Sequence, residues 1–529
     1  MRTAHAVSDV RAAERALMAL VPEGALMQRA AAGLASVCAG MLGRVYGARV
    51  VVLAGRGDNG GDALFAGARL ASRGARVTAV AAGTQVHAAG ATALRDAGGL
   101  IVGAGDAEVG AEPALATPVA AEAAAAIADA DLIIDGILGI GGRGGLREPA
   151  ATMAGMTAAA ADEGAFVVAA DLPSGVDADT GVVAGTAIRA DVTVTFGTIK
   201  PGLLVDPGAS YAGTVQLIDI GLGPHLMSRP AVEALQSADV AALLPRPSAE
   251  SDKYRRGVVG VLAGSQRYTG AAVLSVGGAI RGGAGLVRLV SAKPAADVVR
   301  QHWPEAVITV VQPDDQIGAA AAGAMDGPVG AAAIEAAGRV QAWVAGPGLG
   351  TGEDAADLLA AVLATPLPVL VDADGLTVLA GRRDLLSRPP GAATLLTPHA
   401  GELARLTGAD HLHIEANRLD SARGAASELG VTILLKGSTT VVATPDRGEP
   451  AFVNPTGTPW LATGGSGDVL SGLAGALLAQ GIHPARTAAA VAAFLHGLAG
   501  RLAANRAPVG AGDVLAAIPA AIRMVNEAS

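Results

Sequence analysis

Two α/β units in tandem, each a largely parallel sheet flanked by helices, is the architecture this sequence predicts. Three observations carry it. At 529 residues the chain exceeds one ordinary core, since domains run to roughly 100–200 residues. Short Val/Ile/Leu runs, the kind buried on both faces of a parallel sheet, alternate with Ala-rich helical stretches. The apolar residues are mostly Ala and Val, with only 2% aromatics, a palette for helices and buried strands rather than an aromatic-rich sandwich.

In the first half, helices are expected around Val7–Leu20 and Glu23–Leu42, ahead of the sheet. Strands are expected at Arg49–Ala54, Arg76–Ala81, Ala130–Asp135, Phe166–Asp171, Asp191–Phe196 and Thr214–Ile220, with helices at Asp62–Ser72 and Glu148–Glu163 between them. This is a doubly wound layout. The stretch Gly223–Gly257, with Pro224, Pro230, Pro245 and Pro247, reads as a connection. Strands resume at Gly257–Gly264, Leu286–Val290, Ala306–Val311, Ala342–Gly346, Val369–Asp372, Thr394–Thr397 and Thr432–Lys436. Helices are expected at Gly270–Arg281, Val469–Gln480 and Pro484–Ala504, the last with its proline in the first turn. Ala/Gly-rich segments around 101–128 and 316–340 read as surface helices or loops.

Charge and composition exclude several function classes. A net charge of −10 argues against nucleic acid or an anionic membrane as main partner. No uninterrupted apolar run reaches about 18 residues, and the first residues lack a signal-peptide apolar region. Cys38 is the only cysteine, so an intrachain disulfide and a thiolate metal cluster are out. A soluble, cytoplasmic protein is the expectation. Lysine occurs only at Lys200, Lys253, Lys293 and Lys436, and no Gly-x-x-x-x-Gly-Lys-Ser/Thr run exists, which removes a P-loop NTPase.

The most informative stretch is Asn454-Pro-Thr-Gly-Thr-Pro-Trp-Leu-Ala-Thr-Gly-Gly-Ser-Gly-Asp468, followed at once by a helix. Glycines let a backbone approach an anion, and first-turn N–H groups point at it. A carboxylate there is costly unless it acts, for instance by taking a proton from an attacking hydroxyl. The stretch therefore reads as a phosphoryl-transfer site with Asp468 as its base. Around it, at strand ends, stand Tyr268-Thr-Gly-Ala-Ala272, Ala345-Gly-Pro-Gly-Leu-Gly350, Thr397-Pro-His399-Ala-Gly-Glu402 and Lys436-Gly-Ser-Thr-Thr440. The last offers one ammonium and three hydroxyls, suited to phosphate or ribose. Taken singly, His399 also suits a helix cap and Lys436 a solvated strand end.

In the first half, Gly55-Arg-Gly-Asp-Asn-Gly-Gly-Asp62 follows a strand and formally matches a dinucleotide fingerprint. No acidic residue stands between Ala63 and Arg95 to hold a ribose, so an ordinary NAD-dependent dehydrogenase does not fit. The loop is instead rich in carboxylates, joined by Asp135-Gly-Ile-Leu-Gly-Ile-Gly-Gly-Arg-Gly-Gly145, Asp171-Leu-Pro-Ser-Gly-Val-Asp177 and Asp219 at other strand ends. Asn59, Asp135 and Ser174 would give hard oxygens to a cation, and Asp171 a base or acid; each alone also suits a cap or turn.

These motifs resemble two families. Asn59-Gly-Gly-Asp62, Asp135 with its glycine run, and Asp171 to Asp177 resemble the NAD(P)HX epimerase domain. The Gly-Ser-Gly-Asp468 segment and its companions resemble the NAD(P)HX dehydratase domain, which has a ribokinase-like fold. Together they resemble a bifunctional NAD(P)H-hydrate repair enzyme over nearly the whole chain, with a Rossmann-like epimerase domain at 1–228 and the dehydratase domain at 229–529. One departure is Ala63, where the epimerase loop usually has glycine. The resemblance implies that Asp58, Asn59, Gly60, Gly61, Asp62 and Gly139, Ile140, Gly141, Gly142, Arg143, Gly144, Gly145 cradle the substrate. It implies that Asp171 touches the reacting ring and that Asn59, Asp135 and Ser174 bind K⁺. In the second half it gives Ala271, Gly348, His399 and Asp468 to the hydrated nicotinamide nucleotide, and Lys436, Gly437, Ser438, Thr439, Thr440 and Gly467 to the adenine nucleotide. ADP with Mg²⁺ would be the phosphate donor, leaving AMP and phosphate. NADHX and NADPHX would be substrates, and the chain a homo-oligomer. Two rivals are an ATP-dependent small-molecule kinase of the ribokinase superfamily, which leaves the first half without a task, and a binding protein with inert pockets, which leaves Asp171 and Asp468 without one.

Overall fold

The computed structural model describes all residues except 104–116, 249, 312–328 and 528–529. It divides into two compact units, Thr3–Val232, and Glu233–Ser529 with Met1–Arg2.

The first unit holds a seven-stranded parallel sheet: β1 (Arg49–Ala54), β2 (Arg76–Ala81), β3 (Leu100–Val102), β4 (Leu132–Gly136), β5 (Phe166–Ala170), β6 (Val192–Phe196) and β7 (Thr214–Ile218). Their order is β3-β2-β1-β4-β5-β6-β7. The chain winds outward from β1 in one direction and resumes beside it with β4, so β1 and β4 flank the switch point where such sheets bind ligands. Leu53 pairs with Asp135 and Ala54 with Gly136, which puts the loops after both strands side by side. Every residue of β4 is buried, as its Leu-Ile-Ile run predicts.

The second unit continues with β8 (Val258–Leu262), β9 (Leu286–Ala292), β10 (Val307–Val311), β11 (Ala342–Ala345), β12 (Val369–Val371), β13 (Thr394–Leu396), β14 (Thr432–Leu435), β15 (Thr440–Ala443) and β16 (Ala451–Asn454). These run β16-β15-β14-β13-β12-β11-β8-β9-β10. All pair in parallel up to β14; β15 and β16 are antiparallel additions that periodicity does not reveal, because four-residue runs between Gly and Pro carry little of it. Here the switch point lies between β8 and β11, and Gly264 after one donates its N–H to Pro347 O after the other.

Small residues set the packing. Helices Thr269–Arg281 and Ser466–Ala479 meet backbone to backbone: a Cβ on Gly472 would lie 2.0 Å from Ser275 O, and one on Gly278 2.4 Å from Val469 O. Gly260 is the hollow that receives the buried Trp343 ring, 2.4 Å from where its Cβ would be.

Several expectations are corrected. The helix expected at Asp62–Ser72 runs from Asp58 to Ala71, so Asp58 to Asp62 are its opening turns rather than a loop; acidic Asp58 in the first turn suits the positive helix end. The helix expected from Val469 starts at Ser466, which puts Asp468 in its first turn. Pro484 is the cap of its helix, not its first turn. The connection Gly223–Gly257 contains a strand, Val232–Ala234, and a helix, Ser237–Leu243, capped by Gln236 and Asp239. Of the Ala/Gly-rich segments, 104–116 and 312–328 lie outside the described residues, and the rest includes helices Thr117–Ala128 and Val329–Ala337. Two helices, Ala25–Leu42 and Ala485–Ala504, are long and apolar enough to cross a membrane; 72% of the second is buried inside the protein, as a core helix would be.

Candidate active sites

At the first switch point lies a cavity of about 1320 Å³. Its floor carries Asp58, Asn59 and Asp62 from the helix after β1, Gly139, Ile140, Gly141 and Gly142 from the loop after β4, and Asp171 after β5; Arg11 and Glu14 of the first helix also line it. Gly60 is not open to the cavity but lets the helix start touch the chain: its Cβ would sit 2.0 Å from Gly55 O. Gly145 likewise packs on Gly185, 2.7 Å from that Cα, and Arg143 and Gly144 stand off the cavity wall.

Asp171 is the strained residue of the site, with φ of 61°, a conformation that costs a non-glycine residue energy and persists only where its surroundings fix it. One oxygen, Oδ1, accepts from Lys200 Nζ at 2.5 Å, Thr195 Oγ1 at 3.1 Å and Phe196 N–H at 3.2 Å. Beside it, burial and then the charges of Asp171 and Asp58 push the Asp62 carboxyl well above the usual carboxylate range. Asp62 Oδ1 is buried with no hydrogen-bond partner.

The three expected cation ligands adjoin. Both side-chain polar atoms of Asn59 are buried without a partner, and Oδ1 lies 3.3 Å from where a Cβ on Gly139 would be. Asp135 is fully buried, and that burial raises its carboxyl to about 6 against the hydrogen bonds it accepts. It accepts from Ser174 Oγ at 2.6 Å and Ser174 N–H at 2.7 Å, while Leu138 N–H, on the Gly139 loop, donates to Ser174 Oγ at 2.9 Å.

The second unit gathers its residues around Asp468. A Cβ on Gly467 would stand 3.3 Å from Lys436 Nζ and 3.6 Å from Asp372 Oδ2. Lys436 donates to Asp372 Oδ1 at 2.7 Å and lies 3.7 Å from Glu402 Oε2. Burial pulls the Lys436 ammonium down, but Asp372 and Glu402 outweigh it and hold it above its ordinary value. Asp372 also accepts from Ser471 Oγ at 2.6 Å. Burial, then the Asp372 charge, drives Asp468 up to about 7, with Asp374 and Glu402 adding and Lys436 opposing. His399 caps the helix Ala400–Thr407, its Nδ1 accepting from Gly401 and Glu402 N–H groups, so Nε2 faces outward, 3.6 Å from Glu402 Oε1. Ala271 and Gly348 touch: a Cβ on Gly348 would be 2.7 Å from Ala271 Cβ. The Lys436–Thr440 turn is pinned from beneath by Arg418, fully buried, which donates to Lys436 O at 2.6 Å and Thr439 O at 3.0 Å; Gly437 and Ser438 are left exposed.

A family model described as YjeF-related protein N-terminus matches residues 23–202, and one described as NAD(P)H-hydrate dehydratase matches 259–522. A bifunctional NAD(P)H-hydrate repair enzyme of Mycobacterium leprae is 45% identical over 520 residues, 97% of this chain and 96% of the relative. That of Mycobacterium tuberculosis H37Rv is 44% identical, covering 92% of each. The chain belongs to the bifunctional NAD(P)H-hydrate repair enzyme family. A solved ADP/ATP-dependent NAD(P)H-hydrate dehydratase from Bacillus subtilis is also similar, at 30% identity and TM-score 0.46, over 55% of this chain and 97% of that one.

The repair enzyme thus joins an epimerase unit to a dehydratase unit, and the kinase reading, which left the first half idle, is not favoured. The substitution at Ala63 is absorbed locally: its methyl lies against the bare Cα of Gly136, 2.4 Å from where a Cβ there would be. Sequence reasoning left Lys200, Asp372, Ser471 and Arg418 out of the sites. Lys200 is one of four lysines and Asp372 ends an expected strand, which were the only signals available.

Proposed function

We infer that the first unit interconverts the R and S hydrates at the cavity over Asp171. In the second, Asp468 starts an ADP-dependent dehydration of the S form. The observation that carries the reading is Asp468, a carboxyl raised to about 7 in the first turn of a helix beside a lysine ammonium. Such a group accepts a proton near neutral pH and still releases it readily. In this reading Asp468 takes the proton of the ring hydroxyl as that oxygen attacks the β-phosphorus of ADP, and AMP leaves. The phosphate, a better leaving group than hydroxide, then departs as a proton leaves the neighbouring ring carbon, restoring the dihydropyridine.

Lys436 and the exposed Gly437–Ser438 backbone suit the nucleotide phosphates; Ala271, Gly348 and His399 suit the hydrated ring nucleotide. Among the described residues no group of three or more His, Cys, Asp or Glu is set to hold a metal alone. Mg²⁺ carried largely by ADP oxygens would neutralise phosphate charge there. In the epimerase cavity, Asn59 Oδ1, the Asp135 carboxylate and Ser174 Oγ form a hard-oxygen set with a single charge, which suits K⁺ better than a transition metal; the ion would fix the loop that receives the substrate. The roles of Asp58, Asn59, Asp62 and Gly139 to Gly142, the members of the two expected runs that line the cavity, in cradling ribose and phosphates belong to the same reading, as do the domain limits 1–228 and 229–529, a cytoplasmic setting and a homo-oligomer. Recovery of reduced-nicotinamide absorbance from a mixed R/S hydrate, with ADP, ATP or neither, tests it. Full recovery with ADP is expected; recovery of only the S portion removes the epimerase assignment, and no recovery with ADP removes the donor.

A further inference from the structure

We propose that Lys200 is the positioning residue of the epimerase site, acting on the substrate only through Asp171. The proposal rests on the reading that Asp171 works at the reacting carbon. Lys200 is 1% exposed and does not reach the cavity wall. A lysine is buried only where its charge and hydrogens are matched, and this one has each hydrogen assigned: to Asp171 Oδ1, to Thr195 Oγ1 at 3.1 Å and to Phe196 O at 3.1 Å. Thr195 passes its own hydrogen to the same Asp171 oxygen. Three donors therefore converge on Oδ1, while Oδ2 accepts no hydrogen bond among the described residues.

The consequence is directional. With Oδ1 held from behind and the backbone locked at φ 61°, the carboxyl presents Oδ2 to the cavity and cannot turn its occupied edge toward the substrate. The charge balance points the same way. Asp171, Asp62, Asp58 and Glu14 share one neighbourhood, and Lys200 is a cation that opposes them there, as Arg11 does for Glu14. A carboxyl set among others needs such a partner to keep one orientation.

A double-mutant cycle decides it. The full-length enzyme is assayed for conversion of the purified R hydrate to S by chromatography without nucleotide, so that dehydration is silent. Lys200→Met is expected to lower epimerase kcat roughly 100-fold, within the range for losing organised acid–base catalysis. KM should change less than about twofold, and the dehydratase rate should hold. Lys200→Met added to Asp171→Asn is expected to cost nothing beyond Asp171→Asn alone, and Lys200→Arg to restore part of the rate. Multiplying losses, or a loss confined to KM, overturn the proposal. Because Lys200→Met can unfold the unit by stranding Asp171, Thr195→Val serves as the milder probe. It removes one donor to Oδ1 and should show a smaller kcat loss that again vanishes in the Asp171→Asn background; persistence of that loss overturns the proposal too. Full activity in Asp171→Asn by itself would instead sink the role of Asp171, which separates that failure from this one.

Discussion

Asp468→Asn should do two things that seldom go together, abolish dehydration and stabilise the unit. The carboxyl is displaced from an ordinary 3.8 to about 7 by burial and by the Asp372 charge, so the folded state holds its proton more tightly than the unfolded chain. Below about pH 4 both states are protonated and the displacement costs nothing. From pH 4 to 7 the unfolded chain ionises first, stability falls, and above 7 the whole penalty is present. At 1.36 kcal/mol per pH unit the penalty is at most about 4 kcal/mol, less whatever Lys436 loses with its partner. A neutral amide of the same shape removes it. The enzyme's three tryptophans, Trp303, Trp343 and Trp460, all lie in this unit, so urea unfolding followed by their fluorescence reports on it selectively. The variant should unfold at higher urea than wild type at pH 8 and at the same urea near pH 4, with dehydration down roughly 10²–10⁴-fold. Equal or lower stability at pH 8 would refute the claim that the site holds this carboxylate against its preference. Retained dehydration would refute its role as base.

The wild-type dehydration rate under kcat/KM conditions should rise about tenfold between pH 6 and 8 with a midpoint near 7, as Asp468 ionises from about a tenth to about nine-tenths; a flat profile there would assign the base elsewhere. Asp171→Asn should remove epimerisation and leave the S hydrate fully dehydrated, checked by following each epimer separately. Replacing K⁺ by tetramethylammonium should slow epimerisation before dehydration, since the proposed K⁺ set of Asn59, Asp135 and Ser174 belongs to the epimerase unit; equal effects on both would discount that site. Arg418→Met should raise KM for ADP by about tenfold, on the ~1.4 kcal/mol scale of a buried charged hydrogen bond, with KM for the hydrate little changed, because Arg418 holds the Lys436–Thr440 turn and not the hydrate side.

Much of this was legible in the sequence because strand ends converge. Once Arg49–Ala54, Leu132–Gly136 and Phe166–Ala170 are parallel neighbours, the polar residues that follow them have nowhere to go but one crevice, so Asn59, Asp135 and Asp171 could be grouped without coordinates. The same holds for His399, Lys436 and Asp468. What could not be read is partnership. Lys200 and Asp171 are 29 positions apart and Lys436 and Asp372 are 64 apart, with no periodicity to connect them. Arg418 sits in a helix whose sequence looks solvent-facing, yet is fully buried because the carbonyls of an irregular turn need donors. The helix starts at Asp58 and Ser466 were hidden for a related reason. Glycine-rich segments read as loops by propensity, and at Gly60 close backbone contact, a Cβ there 2.0 Å from Gly55 O, belongs to a helix instead.

The two carboxyls proposed as catalytic, Asp171 and Asp468, are held by opposite means, and the difference fits their proposed tasks. Asp171 is surrounded by donors: an ammonium, a hydroxyl and a backbone N–H all meet one of its oxygens. Epimerisation is reversible and, in the proposed reading, works at one carbon in both directions, so orientation counts for more than proton affinity. Asp468 lacks such donors among the described residues and is instead desolvated among Asp372, Asp374 and Glu402, which raises its basicity. Attack on a phosphate needs the hydroxyl proton removed at the moment the bond forms, a demand on proton affinity near neutral pH. A lysine attends each site, but in different service. Lys200 bonds Asp171 directly, whereas Lys436 bonds Asp372, the neighbour, and leaves Asp468 without that bond. Exchanging these arrangements would put a carboxyl fixed by donors where the proposed phosphoryl transfer needs raised proton affinity, and a desolvated carboxyl without donors where the proposed epimerisation needs fixed orientation.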